Sequence, residues 1–141
     1  MNAIQVAVQN WQRERVSLHA PLEVASIVAA IEGIGRKYSR DVVGLYLITG
    51  GMNEGEEDAR CFSLWSIDRL IAENSSYKRP HILFADFLIA SHFYCFRYES
   101  EQLSSVCVDY LNGQEPKIVA ASVADFFDLC VRDPGKLEMF D

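Results

Sequence analysis

Asp86, His92 and Cys95 supply the three residue types of a thiol hydrolase: a nucleophile, an imidazole base and a carboxylate to orient that base. Such catalysis needs the base within reach of the thiol. Residues 91–98, Ser-His-Phe-Tyr-Cys-Phe-Arg-Tyr, read as a strand, in which successive side chains alternate between faces. His92 and Cys95 are three apart and therefore face opposite sides, so no dyad forms. No catalytic residue is assigned, and the chain is read as a non-enzyme. Asp86 ends an apolar run, Ile82-Leu83-Phe84-Ala85. One reading makes it a surface contact at a sheet edge. The favoured one is a turn aspartate that bonds nearby backbone amides.

The four cysteines, Cys61, Cys95, Cys107 and Cys130, match neither a zinc spacing nor a redox CxxC pair. Each lies in an apolar context and is read as a reduced structural thiol. If the strands around Cys95 and Cys107 pair as a hairpin, the register brings these two close. The loop at 53–58, Asn-Glu-Gly-Glu-Glu-Asp, has carboxylates but lacks the length and closing glutamate of an EF-hand. No Gly-rich phosphate loop or HExxH motif occurs. No metal ligand or cofactor is expected. The loop is instead the best candidate contact with a protein partner, being acidic and beside the Gly50-Gly51 turn.

Charge supports that choice. The net charge is −7, unevenly spread. Residues 1–40 carry three acids and five bases, residues 41–58 five acids and no base, and residues 99–141 nine acids and three bases. An acidic surface repels phosphate backbones, so direct nucleic-acid binding is disfavoured. It speeds encounter with a basic protein. Candidate partner-binding residues are Glu54, Glu56, Glu57 and Asp58, with Glu99 and Glu101 from a later turn.

The elements that must hold these residues follow from periodicity. Ile4, Ala7, Val8 and Trp11 mark a short amphipathic helix. Pro21 suits a helix start, and Val24, Ile27, Val28, Ile31 and Ile34 form its apolar stripe, closed by Gly33 and Gly35. Ser39 caps a third helix that turns Val42, Val43, Tyr46 and Leu47 inward before Gly50-Gly51. Residues 61–65 alternate as a strand, and Ser66 caps a helix with Ile67, Leu70 and Ile71 inside. Strands follow at 81–84, at 91–98 in the middle of the sheet, around 105–110 after a turn at 99–103, and at the edge over 117–120. Asn112-Gly113 is a turn signal. Ser122 opens a closing helix carrying Val123, Phe126, Phe127 and Cys130, ended by Asp133-Pro134-Gly135. Trp65 and Phe126 are assigned to the core, while Tyr94 and Tyr98 suit either the core or a partly wet position.

With 141 residues the chain fits one domain, able to bury roughly 68–70% of its unfolded surface without metals or disulfides. The expected fold is α+β, a single domain over 1–141 with helices packed on a mostly antiparallel twisted sheet. Its core spans about 22–130, and the helix over 2–15 is allowed a peripheral place. No membrane-length apolar run and no secretory leader pattern occurs, so a cytoplasmic protein is expected.

This order of elements resembles the SUKH superfamily, which includes the yeast Smi/Knr cell-wall regulators and many bacterial toxin-immunity proteins. The resemblance rests on a helix entering a Gly turn at 45–51, an acidic loop, the strand–helix unit at 61–67, and Ile82-Leu83-Phe84-Ala85-Asp86. The tyrosine-bearing strand at 92–96 and the Ser-x-x-x-Phe-Phe helix start at 122–127 complete it. The family often has Asn-Gly where this chain has Gly50-Gly51, and a Gly-rich stretch where it has Phe87-Leu88-Ile89-Ala90-Ser91. The resemblance implies a SUKH-like fold and a non-catalytic immunity protein that binds and neutralises a cognate toxin, often a basic nuclease. The alternative is a regulatory or scaffold interaction domain of the cell-wall-regulator kind. A small-molecule or enzyme domain would need a deep apolar pocket with converging polar groups, of which the sequence gives no sign.

Overall fold

The computed structural model describes residues 1–134. Its elements are α1 (Ala3–Arg13), α2 (Val24–Ile34), α3 (Arg40–Ile48), β1 (Phe62–Leu64), α4 (Ile67–Asn74), β2 (Ile82–Phe87), β3 (His92–Tyr98), β4 (Ser104–Asp109), β5 (Lys117–Ala120) and α5 (Val123–Arg132). The five strands form one sheet in the order β1-β2-β3-β4-β5, every neighbour antiparallel. The fold is the expected α+β arrangement, with β3 in the middle of the sheet. Gly135, expected to help end the last helix, lies outside the described residues. Among the described residues no helix is long and apolar enough to cross a membrane.

The helix starts are chemical. Asn2 and Gln5 form a reciprocal capping box on α1, each bond 2.9 Å. Ser66 accepts from the Arg69 amide and Ser122 from the Asp125 amide. Ser39 is the N-cap of α3 by position, but its hydroxyl does not cap. It bonds Asp41 and Ser104 instead. Asp41 in turn accepts from the amides of Ser104 and Val123, joining α3, β4 and the start of α5. Both glycines of the turn after α3 are required. A Cβ on Gly50 would stand 2.3 Å from the Ala20 carbonyl oxygen, and one on Gly51, at φ +89°, 2.5 Å from the Trp65 carbonyl oxygen.

One face of the sheet and the helices enclose an aromatic core. Phe84 and Phe96 stack with centroids 3.9 Å apart. Phe126 of α5 meets Tyr94 at 5.1 Å, Phe84 at 5.7 Å and Phe62 at 5.9 Å. Tyr94 is thus fully buried, and Trp65 and Phe126 are core residues. The N-terminal helix is no peripheral addition. Ile4, Ala7 and Trp11 are buried, and Trp11 packs on Phe62 and Phe127. Two inward assignments are corrected: Leu47 and Ile71 are exposed, because α3 buries Leu45 and α4 needs only Leu70 and Asn74 at its contact.

A bulge in β2 distributes the two faces. Leu83 pairs with Cys95, but Ala85 pairs with Tyr94, so Phe84 is an extra residue. Ile82, Phe84, Ala85 and Phe87 all join the main core as a result. Leu83 turns to the second face, with Trp65, Cys95 and Cys107 under Tyr77 and Phe93.

Asn74 ties α4 to this second face. Its amide nitrogen donates to the carbonyls of Leu70 and Leu83, and its oxygen accepts from the Leu83 amide and from Arg36. Arg36 also donates to the carbonyls of Asn74, Tyr77 and His81 and lies over the Tyr77 ring. Asn74 is 2% exposed, so every bond it loses would leave a dry polar group. Asn74→Ala should therefore destabilise the fold by about 2–4 kcal/mol, measured by urea unfolding. A loss below about 0.5 kcal/mol, the range of ordinary surface substitutions, would contradict this account.

Candidate functional site

The acidic loop is one wall of a cleft of about 1010 Å³. Glu54, Glu56 and Glu57 stand on the loop, and Asp68, Arg69 and Glu73 of α4 stand opposite. Asp86 lies on its floor, and Ile89 and Ala90 of the β2–β3 turn form its rim. The amphipathic pattern of α4 sends Leu70 inward and leaves Asp68 and Glu73 in solvent. Sequence periodicity shows that these two point outward; only the tertiary fold aims them at the loop.

Asp86 is neither a surface contact nor a turn aspartate. It lies within β2, is 3% exposed, and one carboxylate oxygen accepts from Trp65 Nε1 and from the Arg69 guanidinium, each at 2.9 Å. The bulge explains this position, because it places Asp86 on the second face beside α4. Arg69 also approaches Glu73 at 3.5 Å and covers the Trp65 ring at 4.7 Å. The positive charge of the cleft is thereby engaged. Among the described residues, no salt bridge engages Glu54, Glu57 or Asp68, and all three are exposed. The cleft therefore presents unpaired negative charge over a neutralised floor.

The other loop acids hold the loop in shape. Glu56 accepts from the Ser17 amide, and its carbonyl accepts from the Ser63 hydroxyl at 2.8 Å. Asp58 accepts from the amides of Arg60 and Phe62 through one oxygen and from Trp11 Nε1 through the other. It thus joins α1 to β1. Glu99 and Glu101 are not brought to this cleft. They follow the far end of β3, while the loop adjoins the other end, where Phe62, Phe87 and His92 align. Six strand steps separate the two ends, roughly 20 Å. Glu99 accepts from the Ser105 hydroxyl, and Glu101 lines a separate depression with Lys37 and Tyr98.

Ile89 is 86% exposed on the rim. Leu88, Ile89 and Ala90 all have positive φ, at 51°, 51° and 67°. Such backbone is uncommon for any residue with a Cβ and an outlier for a β-branched one. No side-chain pattern signals it. The chain holds a glycine-like backbone there with apolar side chains, and one of them projects beside the acids.

No protein-family model matches this chain, and no curated protein matches it.

His92 faces away from the second-face thiols. It stacks on Phe87 and meets Tyr110 edge-on at 4.7 Å, and its Nδ1 is buried without a hydrogen-bond partner among the described residues. Cys95 and Cys107 are paired directly across β3 and β4. Desolvation lowers the His92 pKa below the ordinary imidazole value. Desolvation also leads in lowering His81, with the charges of Arg97 and Arg79 adding to it. A base with a lowered folded-state pKa binds protons more readily in the unfolded chain. The associated stability is present above the unfolded value, about 6.5, and is lost as pH falls through it. The urea midpoint should therefore fall between about pH 7 and about pH 5.5, and His92→Phe should shrink the drop. A drop of unchanged size in that variant would assign the dependence to other groups, His81 first.

Proposed function

We propose that the chain is a non-catalytic binding protein whose acidic cleft takes a basic protein partner, and that it serves in the cytoplasm as an immunity protein. The partner would be a cognate toxin domain of nuclease type, occluded one to one. The observation that carries the binding reading is the cleft itself. Glu54, Glu57 and Asp68 are exposed there with no salt bridge among the described residues, and Arg69 is already held by Asp86 and Glu73. Like-charged walls around a cleft focus the field outward and raise the on-rate of a cationic partner. Ile89 adds an exposed apolar contact on the rim beside the charges. The toxin-directed part of the proposal is supported by the resemblance of element order to the SUKH superfamily.

Within this reading the loop acids divide their roles. Glu54 and Glu57 supply charge, while Glu56 and Asp58 set the loop's shape. Glu99 and Glu101, at the other end of the sheet, would meet only a partner large enough to reach round the domain.

The test is co-expression with the C-terminal domain of a large secreted protein encoded beside this one, scoring host survival and a co-purifying complex. Survival with a stoichiometric complex would support the immunity reading. No rescue would favour the regulatory or scaffold alternative. Within a complex, Glu54→Lys with Glu57→Lys should slow association about tenfold or more at low salt and change dissociation less. Unchanged association would remove the cleft from the interface.

A further inference from the structure

Cys95 and Cys107 lie opposite each other on the central strand pair, a placement independent of the acidic cleft. Directly opposed residues of an antiparallel pair have Cα atoms about 4.5 Å or about 5.5 Å apart, according to the kind of pair. Both separations fall in the range that a disulfide spans. The two side chains share the second face of the sheet, packed with Trp65 and Leu83, and both thiols are free. The geometry points to Cys95 and Cys107 as a dithiol site that a hydroperoxide converts to a cross-strand disulfide.

The thiols differ in a way that orders the reaction. The Cys107 pKa is lowered by the facing Cys95 side chain first and by the Arg97 charge, against the opposing effect of burial, and this favours thiolate at Cys107. The facing Cys107 and burial raise the Cys95 pKa, which favours its protonated form. Cys107 is the attacking sulfur. Its thiolate attacks one oxygen of hydrogen peroxide. A sulfur–oxygen bond forms, the oxygen–oxygen bond breaks, and the released hydroxide takes a proton to leave as water. The Cys95 sulfur then attacks the sulfenic sulfur. The disulfide forms, the sulfur–oxygen bond breaks, and a second water leaves with the Cys95 proton. The two thiols are oxidised by two electrons and the peroxide is reduced to water.

Access is set by Tyr77. Cys95 is 0% exposed and Cys107 1%, beneath Tyr77 and Phe93. A depression of about 360 Å³, lined by Tyr77, Leu83, Phe93 and Asp109, lies outside them. The Tyr77 hydroxyl donates to Asp109 at 2.6 Å, and Arg36 holds the Tyr77 carbonyl and ring. A water-sized oxidant suits such a covered pair, while a large disulfide reagent must wait for Tyr77 to lift.

The experiment treats the folded full-length chain with hydrogen peroxide in a Cys61→Ser, Cys130→Ser background, followed by intact mass and peptide mapping. The expected product has lost two hydrogen atoms and carries a 95–107 cross-link, which a reductant reverses. Tyr77→Ala should form it several-fold faster. Cys95→Ser should leave a sulfenic acid at Cys107 that a dimedone probe traps, a readout that does not depend on the Tyr77 variant folding. Cross-linking only in denaturant, oxygen addition without a cross-link, or no reaction under conditions that oxidise Cys61 in the unsubstituted chain would each overturn the proposal.

Discussion

The extra residue at Phe84 is the constraint on which the rest of the structure depends. An unbroken strand would put Phe84 and Asp86 on one face, and the carboxylate would then enter the aromatic core. The bulge lets Phe84 stack on Phe96 and sends Asp86 to the opposite face. Burying a carboxylate is tolerable only where donors meet it, and the second face supplies the Trp65 indole and the Arg69 guanidinium. That junction fixes α4 against the sheet. It also fixes the direction in which Asp68 and Glu73 look, and hence the far wall of the cleft.

The acidic side chains fall into two groups by role. Four aspartates act as internal connectors. Asp41 joins α3 to β4 and α5, Asp58 joins α1 to β1, and Asp86 joins β2 to α4. Asp109 holds the Tyr77 hydroxyl, the Leu111 amide and Arg79. A short carboxylate next to the backbone reaches nearby amides without losing much rotamer freedom. The longer glutamates at 54 and 57 reach into solvent. A net charge of −7 therefore overstates what a partner meets, since much of the aspartate charge is met by donors within the fold. Glu54, Glu57, Asp68 and Glu73 are the outward acids that line the cleft.

The turn at 88–90 joins this charge to an apolar contact. Three consecutive residues with positive φ are unfavourable, and they persist because strands β2 and β3 impose the turn. Leu88, Ile89 and Ala90 keep the turn while exposing apolar surface. The turn held by the two strands keeps Ile89 in solvent.

The sequence by itself determined the class and order of elements, because the periods of apolar residues and the turn residues report directly on local backbone. The caps at Ser66 and Ser122, the central place of β3, the edge place of β5 and the alternation of Val106 and Val108 against Cys107 were all legible for that reason. The loop's acidity was legible too, as composition. Only the tertiary structure decided what lies opposite the loop, since Asp68 and Glu73 are outward on α4 in any fold but face the loop in this one. It also decided the role of Asp86, because a bulge shifts the face of every later residue in its strand and leaves no mark in a two-residue period. The meeting of Cys95 with Cys107 depended on hairpin register, and the separation of Glu99 and Glu101 from the cleft on strand length. Local patterns encode which way a side chain points, but its partner is set by packing between segments distant in the chain.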